Sequence, residues 1–83
     1  MPMIQIEQNR PATLESARFQ IRSIASAKDM QEVYFKWTWT AGFIMALVTE
    51  KLIDEDTWRE LDAEADQARD EAQARLTRKE SGL

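Results

Sequence analysis

The chain has 83 residues, of which 11 are Lys or Arg and 15 are Asp or Glu, so its formal net charge is −4. It contains no Cys and no His, which excludes disulfides, Cys/His zinc sites and catalytic triads that depend on histidine. Hydrophobic residues make up 43% of the sequence, a share typical of folded proteins, and the length predicts one small domain over 1–83.

The first ten residues do not predict a helix. Ile4 and Ile6 alternate with polar residues over 4–8, a pattern that suits either a short strand or a frayed terminus. We therefore expect an extended or frayed segment over 1–10. The start of the chain lacks the basic and apolar regions of a signal peptide, and the expected location is cytoplasmic.

The first predicted helix spans 13–26. Pro11 suits a first helical turn and Thr13 suits the N-cap. The apolar residues that follow recur every three or four positions: Leu14, Ala17, Ile21 and Ile24. This spacing places them on one side of a helix, which predicts a side that faces the core.

The second predicted helix spans 28–52 and is apolar on two sides. The segment 26–29 resembles a capping box with Asp in place of Glu. The main apolar stripe is Met30, Val33, Tyr34, Trp37, Ala41, Ile44, Met45, Val48 and Leu52, and a second stripe is Phe35, Trp39, Phe43, Ala46 and Leu47. A helix that is apolar on two sides must be covered on both.

A strand competes with this helix over 33–40, because the segment is rich in β-formers and alternates apolar with polar residues. Pairing with a strand at 3–8 would then give a small α+β fold. We favour the helix because its stripe continues unbroken through the disputed segment, and because a two-stranded sheet is marginal by itself.

The third predicted helix spans 55–79. Asp54 suits the N-cap, and acidic residues follow in the first turn, where the helix dipole favours them. Its apolar seam is Trp58, Leu61, Ala65, Ala68, Ala72 and Leu76. The small alanines predict close packing against the aromatic second helix, and the short connection predicts an antiparallel hairpin. We expect a disordered tail over 80–83.

Two groups of residues are candidates for partner binding. The segment 54–71 carries nine acids and two bases, which indicates either a solvated helix face or an electronegative surface for a basic protein. The acidic candidates are Asp56, Glu60, Asp62, Glu64 and Asp66. The aromatic candidates for partner contact or a dimer seam are Tyr34, Phe35, Trp37, Trp39 and Phe43.

These features predict an all-α domain of three helices that binds another protein and has no enzymatic role. It would act as a regulator or inhibitor, and its acidic helix would occupy a basic surface that normally holds nucleic acid. Small inhibitors from phages and mobile elements work this way, and the chain resembles them in size and charge. The alternative is a structural subunit that forms an obligate helical homodimer. We expect no cofactor, no metal, no direct nucleic-acid binding and no membrane span.

Overall fold

The structure is a computed structural model that describes residues 7–81, with side chains through residue 78. It contains α1 (Pro11–Ala25), α2 (Met30–Thr49) and α3 (Glu55–Ser81), and no strand occurs in the described part of the chain. The all-α prediction is confirmed. The alternative strand at 33–40 is wrong, because α2 runs through that segment. Most of its proposed companion at 3–8 lies outside the described residues.

Each helix packs against the other two, and the chain runs up, down and up. Trp37 of α2 bonds to Asp66 of α3, and Tyr34 bonds to the later residue Gln73, so these two helices are antiparallel. Arg18 pairs with Glu64, early in α3, and the end of α1 lies beside the later part of α3, so these two run in the same direction.

The core lies where the three helices meet. Its buried side chains are Ala17, Ile21, Ile24, Ala27, Val33, Thr40, Ile44, Leu47, Ile53, Leu61, Ala65, Ala68, Ala72 and Leu76. The alanine seam of α3 is therefore buried, as its spacing predicts. Of the aromatic rings of α2 that were expected to pack against this seam, Trp37 and Phe43 are partly buried against the core. Phe35, Tyr34 and Trp39 remain exposed. The side chains that α2 buries most deeply are Val33, Thr40, Ile44 and Leu47, which are small enough to fit where helices approach closely across alanines.

The start of α1 differs from the prediction. Pro11 is the first helical residue and Arg10 occupies the N-cap without a side-chain hydrogen bond, so Thr13 is not the cap. Pro at the first helical position needs no partner for its nitrogen, and its fixed φ suits the helix. The helix therefore begins two residues earlier than expected.

The second helix begins later than predicted, because Asp29 is its N-cap. The Asp29 carboxylate accepts a hydrogen bond of 2.8 Å from the Glu32 backbone N–H. Ser26 is instead the C-cap of α1, and its hydroxyl donates to the carbonyl of Ser23. Aspartate satisfies a free N–H at the start of a helix as well as serine does. Ser26 and Asp29 were therefore equally suitable, by residue type, as the N-cap of α2.

The second helix ends at Thr49, three residues before the predicted end. Lys51 adopts a φ of 61°, the left-handed conformation that commonly ends a helix. The Leu52 N–H donates to the Leu47 carbonyl at 2.9 Å, and the Lys51 N–H donates to the Val48 carbonyl at 3.1 Å. This is a Schellman motif with lysine where glycine is usual, so no glycine in the sequence marks the end of α2.

The third helix begins after Asp54, whose carboxylate accepts a 2.7 Å hydrogen bond from the Thr57 N–H. Asn9 is tied to the same place: its side-chain amide donates to the Asp54 carboxylate at 2.8 Å, and its backbone N–H donates to the Leu52 carbonyl at 2.9 Å. Residue 9 is therefore held in place, which corrects the expectation of a frayed segment at that residue. Helix α3 reaches Ser81, so residues 80–81 of the expected tail are helical, while 82–83 lie outside the described residues.

Candidate functional site

One side of α2 is exposed along its length and, apart from the Tyr34 hydroxyl that accepts from Gln73 of α3, points largely away from α1 and α3. We call it the outward face of α2, and its members are Gln31, Tyr34, Phe35, Thr38, Trp39, Gly42, Met45, Ala46 and Thr49. Phe35 is 70% exposed, Tyr34 52% and Trp39 49%. The sequence has no charged residue over 37–49. Exposed apolar side chains without interspersed charge are typical of protein-binding surfaces rather than of solvated helix faces.

This face is exposed because the opposite side of α2 takes the aliphatic residues into the core. Val33, Thr40, Ile44 and Leu47 recur at spacings that keep one side of the helix buried. Phe35 and Trp39 lie on the other side, where neither α1 nor α3 covers them. A three-helix unit can bury only one stripe of its middle helix well, so the second stripe remains open.

Trp39 is held in a defined position by Phe43. The two rings stack with centroids 5.5 Å apart and an interplanar angle of 10°. Phe43 is itself partly buried against the core, so it supports the more exposed indole. A ring that is already positioned loses less conformational freedom when a partner covers it.

Trp37 has a structural role between α2 and α3. Its indole N–H donates to the Asp66 carboxylate at 3.0 Å, and the guanidinium of Arg69 lies 4.5 Å from the ring centroid. The cation–π contact and the hydrogen bond fix α2 against α3. Trp37 and Phe43 are two of the five aromatic candidates. Both are partly buried within the fold, so they contribute little to the outward face of α2.

Besides a cavity that Phe35 shares with Asp29, Gln31 and Glu32, two shallow, mainly apolar cavities flank the ring of Phe35. The first, of about 260 Å³, lies toward α1 and is lined by Gln20, Ser23, Phe35, Lys36 and Trp39. The second, of about 390 Å³, is lined by Tyr34, Phe35, Thr38 and Trp39. Both are concave places beside aromatic rings, where side chains of a bound protein could insert.

The positive charge nearest to these cavities is already neutralised. The Lys36 ammonium lies 3.0 Å from the Glu32 carboxylate and donates to the Ser23 carbonyl at 3.1 Å. The hydrogen bond from Lys36 holds the pKa of Glu32 below its ordinary value. Lys36 is thus paired within the chain, and the cavities beside Phe35 present mainly apolar surface.

The acidic candidates of α3 do not form one continuous face. Glu60 and Glu64 lie one turn apart on the side of α3 toward α1, where Glu64 pairs with Arg18 at 3.3 Å. The hydrogen bond with Glu64, with the charge of Glu60 added, raises the pKa of Arg18. Glu64 therefore serves an internal ion pair, and its charge is partly compensated.

The other acidic candidates lie elsewhere on α3. Asp66 accepts from Trp37, and with Asp62 one turn earlier it follows the side toward α2. Asp56 lies in the first turn, where its side chain is 96% exposed and 3.6 Å from Arg59. The charge of α3 is thus spread around its solvent side, and Asp56, Glu60 and Asp62 remain the most available members.

Several residues of the exposed surface were not singled out from the sequence as contact residues. Thr38, Gly42 and Met45 lie on the outward face of α2, and Phe19 of α1 is 60% exposed. The signal for the first three is the helical spacing that they share with Phe35. This spacing alone could not identify contact residues, because the sequence does not show which apolar stripe of α2 enters the core.

Two further findings concern site types that the sequence did not favour. Among the side chains that the structure describes, no group of three or more acidic residues is arranged to hold a metal ion. Over the described residues, none of the three helices combines the length and hydropathy needed to cross a bilayer.

Comparison of the chain with models of known protein families, with curated proteins and with solved structures found no match.

Proposed function

We propose that this chain is a non-catalytic protein-binding module that acts as a regulator or inhibitor, and that it binds through the outward face of α2. The observation that carries the proposal is the exposure of Phe35 and Trp39 on a helix side without charge over 37–49. Burial of such rings at an interface contributes about 1.5–3 kcal/mol each when it is complete. Aromatic residues with adjacent cavities are typical of the centres of protein interfaces.

The proposal is tested by capturing partners with the tagged full chain from a lysate of its native host. Phe35→Ser removes an exposed ring from the outward face of α2, and Phe19→Ser removes a comparably exposed ring from α1. We expect a stoichiometric partner that wild type and Phe19→Ser retain and that Phe35→Ser binds at least about tenfold more weakly, a difference of about 1.4 kcal/mol. Equal retention by the two variants, with unchanged circular dichroism, would refute the assignment to α2.

A second candidate role is electrostatic: the acidic side of α3 would steer the chain onto a basic surface that otherwise holds nucleic acid. The supporting observation is the exposure of Asp56 and Glu60 on the solvent side of α3, with Asp62 free of ion pairs to the described residues. A net excess of charge of one sign accelerates association with an oppositely charged partner even when it is spread over a surface. In this role α3 sets the rate of binding, while the outward face of α2 sets its strength.

A further inference from the structure

Within the outward face of α2, six positions form one straight stripe. These positions are Gln31, Phe35, Thr38, Gly42, Met45 and Thr49, and all six are exposed. Their spacings are four, three, four, three and four residues, the repeat by which two helices pack along a shared seam. The order of spacings is the same in both directions, so the stripe is symmetric about residue 40.

We infer that a second copy of this chain covers the stripe, with the two α2 helices antiparallel about a twofold axis near residue 40. The inference rests on the proposed function and names the partner of the same face. In this register Phe35 meets Met45 of the second copy, and Thr38 meets Gly42 of the second copy. A twofold interface must be self-complementary, and a stripe that is symmetric about its middle satisfies this requirement.

The sizes of the side chains favour this arrangement over a parallel one. In a parallel pair, Phe35 would face Phe35 of the other copy, and the two glycines would face each other across a gap. The antiparallel pair instead places the Thr38 side chain over the bare backbone of Gly42 in the other copy. A Cβ atom added at Gly42 would meet nothing within 4 Å in the isolated chain, so this space is open to a neighbouring helix.

The charges at the two ends of α2 favour the same orientation. Lys28 and Asp29 precede the helix, and Glu50 and Lys51 follow it, all four exposed. The antiparallel register brings the end of α2 that follows Lys28 and Asp29 beside the end of the second copy that precedes Glu50 and Lys51, so that Asp29 can approach Lys51 and Lys28 can approach Glu50. A parallel pair would instead place like charges together at both ends, which penalises that orientation.

The available area fits a modest dimer. Two of the four large exposed side chains of α2, Phe35 and Met45, lie in the stripe, and the other two, Tyr34 and Trp39, lie beside it. If a side chain of this size buries roughly 150–250 Å², the four leave about 450 Å² uncovered per copy. Counted on both copies, and with the smaller residues of the stripe, the contact approaches the roughly 1,200 Å² at which stable interfaces begin. We therefore expect a dimer that dissociates on dilution.

The orientation is tested with single cysteines, because the chain has no native cysteine. Gln31→Cys and Thr49→Cys are prepared separately, then mixed and oxidised, and the products are weighed by mass spectrometry. We expect a disulfide only between the two different variants. In the antiparallel pair each cysteine lies about 27 Å along the axis from its own counterpart, at a rise of about 1.5 Å per residue. Disulfides within each variant alone would overturn the antiparallel arrangement.

The dimer itself is tested by sedimentation equilibrium from micromolar to submillimolar concentration. We expect a mass that rises toward twice the 9.6 kDa of the chain. Gly42→Arg should remain at the mass of one chain, with unchanged circular dichroism, because the added side chain points into open space in the isolated chain. Wild type that stays monomeric throughout the range, or a dimer that survives Gly42→Arg, would overturn the inference.

The same experiments separate this inference from the proposed function. A monomeric wild type that captures a different protein in a Phe35-dependent manner would overturn the homodimer and retain the binding role of α2. A dimer that persists in both Gly42→Arg and Phe35→Ser, with no Phe35-dependent partner, would overturn both.

Discussion

Polar side chains at the helix ends join the three helices of this chain. Asp54 caps α3 and also binds Asn9, so one carboxylate links the segment before α1 to the start of α3. At the other end of the bundle, the Arg75 guanidinium donates to the carbonyls of Ala25 and Ala27 at 2.9 and 2.6 Å. These contacts satisfy backbone or cap groups that would otherwise require water.

Asp54 should make stability depend on acid pH. The hydrogen bond from the Thr57 backbone N–H is the largest of the contacts that lower the pKa of Asp54 below 3.8. A carboxylate whose pKa falls on folding stabilises the fold above its unfolded pKa, and this contribution disappears as the pH falls through the folded pKa. We expect Asp54→Asn to be less stable than wild type at pH 7, with a difference that shrinks toward pH 2.

Urea unfolding monitored by circular dichroism at several pH values measures this difference. The other carboxylates titrate in both proteins, so their effects cancel in the comparison. A stability difference that stays constant from neutral to acid pH would contradict a special role for the Asp54 charge.

At the scale of elements, the alanine seam of α3 determines how closely the helices approach. Ala65 is fully buried, and Ala68 and Ala72 follow it on the same side. Because these side chains are small, the neighbouring helices can lie close, and the side chains that α2 buries most deeply are Val33, Thr40, Ile44 and Leu47. The large rings of Phe35 and Trp39 are consequently left on the outward face of α2.

A larger side chain in the alanine seam should therefore destabilise the fold. Ala65→Leu adds a bulky side chain where the core has no space, and we expect a loss of about 1–3 kcal/mol in the free energy of unfolding. Ala63→Leu, on the exposed side of the same helix, is the matched control and should change stability by less than about 0.5 kcal/mol. Equal effects of the two substitutions in thermal or urea unfolding would show that the seam is not tightly packed.

At the scale of the whole molecule, apolar and charged surfaces lie on different helices. The outward face of α2 has no charge over 37–49, whereas α3 has its most available acids at Asp56, Glu60 and Asp62. Because of this separation, substitutions on α3 can change long-range electrostatic attraction to a partner, and substitutions on α2 can change direct apolar contact, each without the other.

Charge reversal on α3 should slow partner binding without unfolding the chain. We expect the double variant Asp56→Lys, Glu60→Lys to lower the association rate by about tenfold or more at low salt and to leave the dissociation rate nearly unchanged. Surface plasmon resonance at two ionic strengths measures both rates for a captured partner. The difference from wild type should diminish at high salt, and identical association rates at low salt would exclude electrostatic steering by these residues.

Glu64→Lys is the informative comparison for that experiment. Glu64 pairs with Arg18 of α1 in a half-exposed position, so its reversal brings two positive charges together between α1 and α3. We expect Glu64→Lys to lower the thermal midpoint more than Asp56→Lys does, because the Asp56 side chain is 96% exposed and contacts only its own helix.

Local pattern was sufficient to predict three helices and the buried side of α3. The seam from Leu61 to Leu76 repeats every three or four residues, and no glycine or proline interrupts it. The end of α2 could not be predicted in this way, because Lys51 takes a left-handed conformation that usually requires glycine. The hydrogen bonds of Asn9 could not be predicted from local pattern either, since its partners lie more than 40 positions away in the sequence.

The sequence by itself determined that this protein is helical, and that five of its seven aromatic residues lie on the middle helix. Only the tertiary structure decided which side of that helix is buried. Spacing predicted Tyr34 on the main apolar stripe of α2 and placed Thr40 on neither stripe, yet Thr40 is buried and Tyr34 is half exposed. The physical reason is the space between the helices, because close approach across a seam of alanines favours small side chains over large rings at the deepest positions.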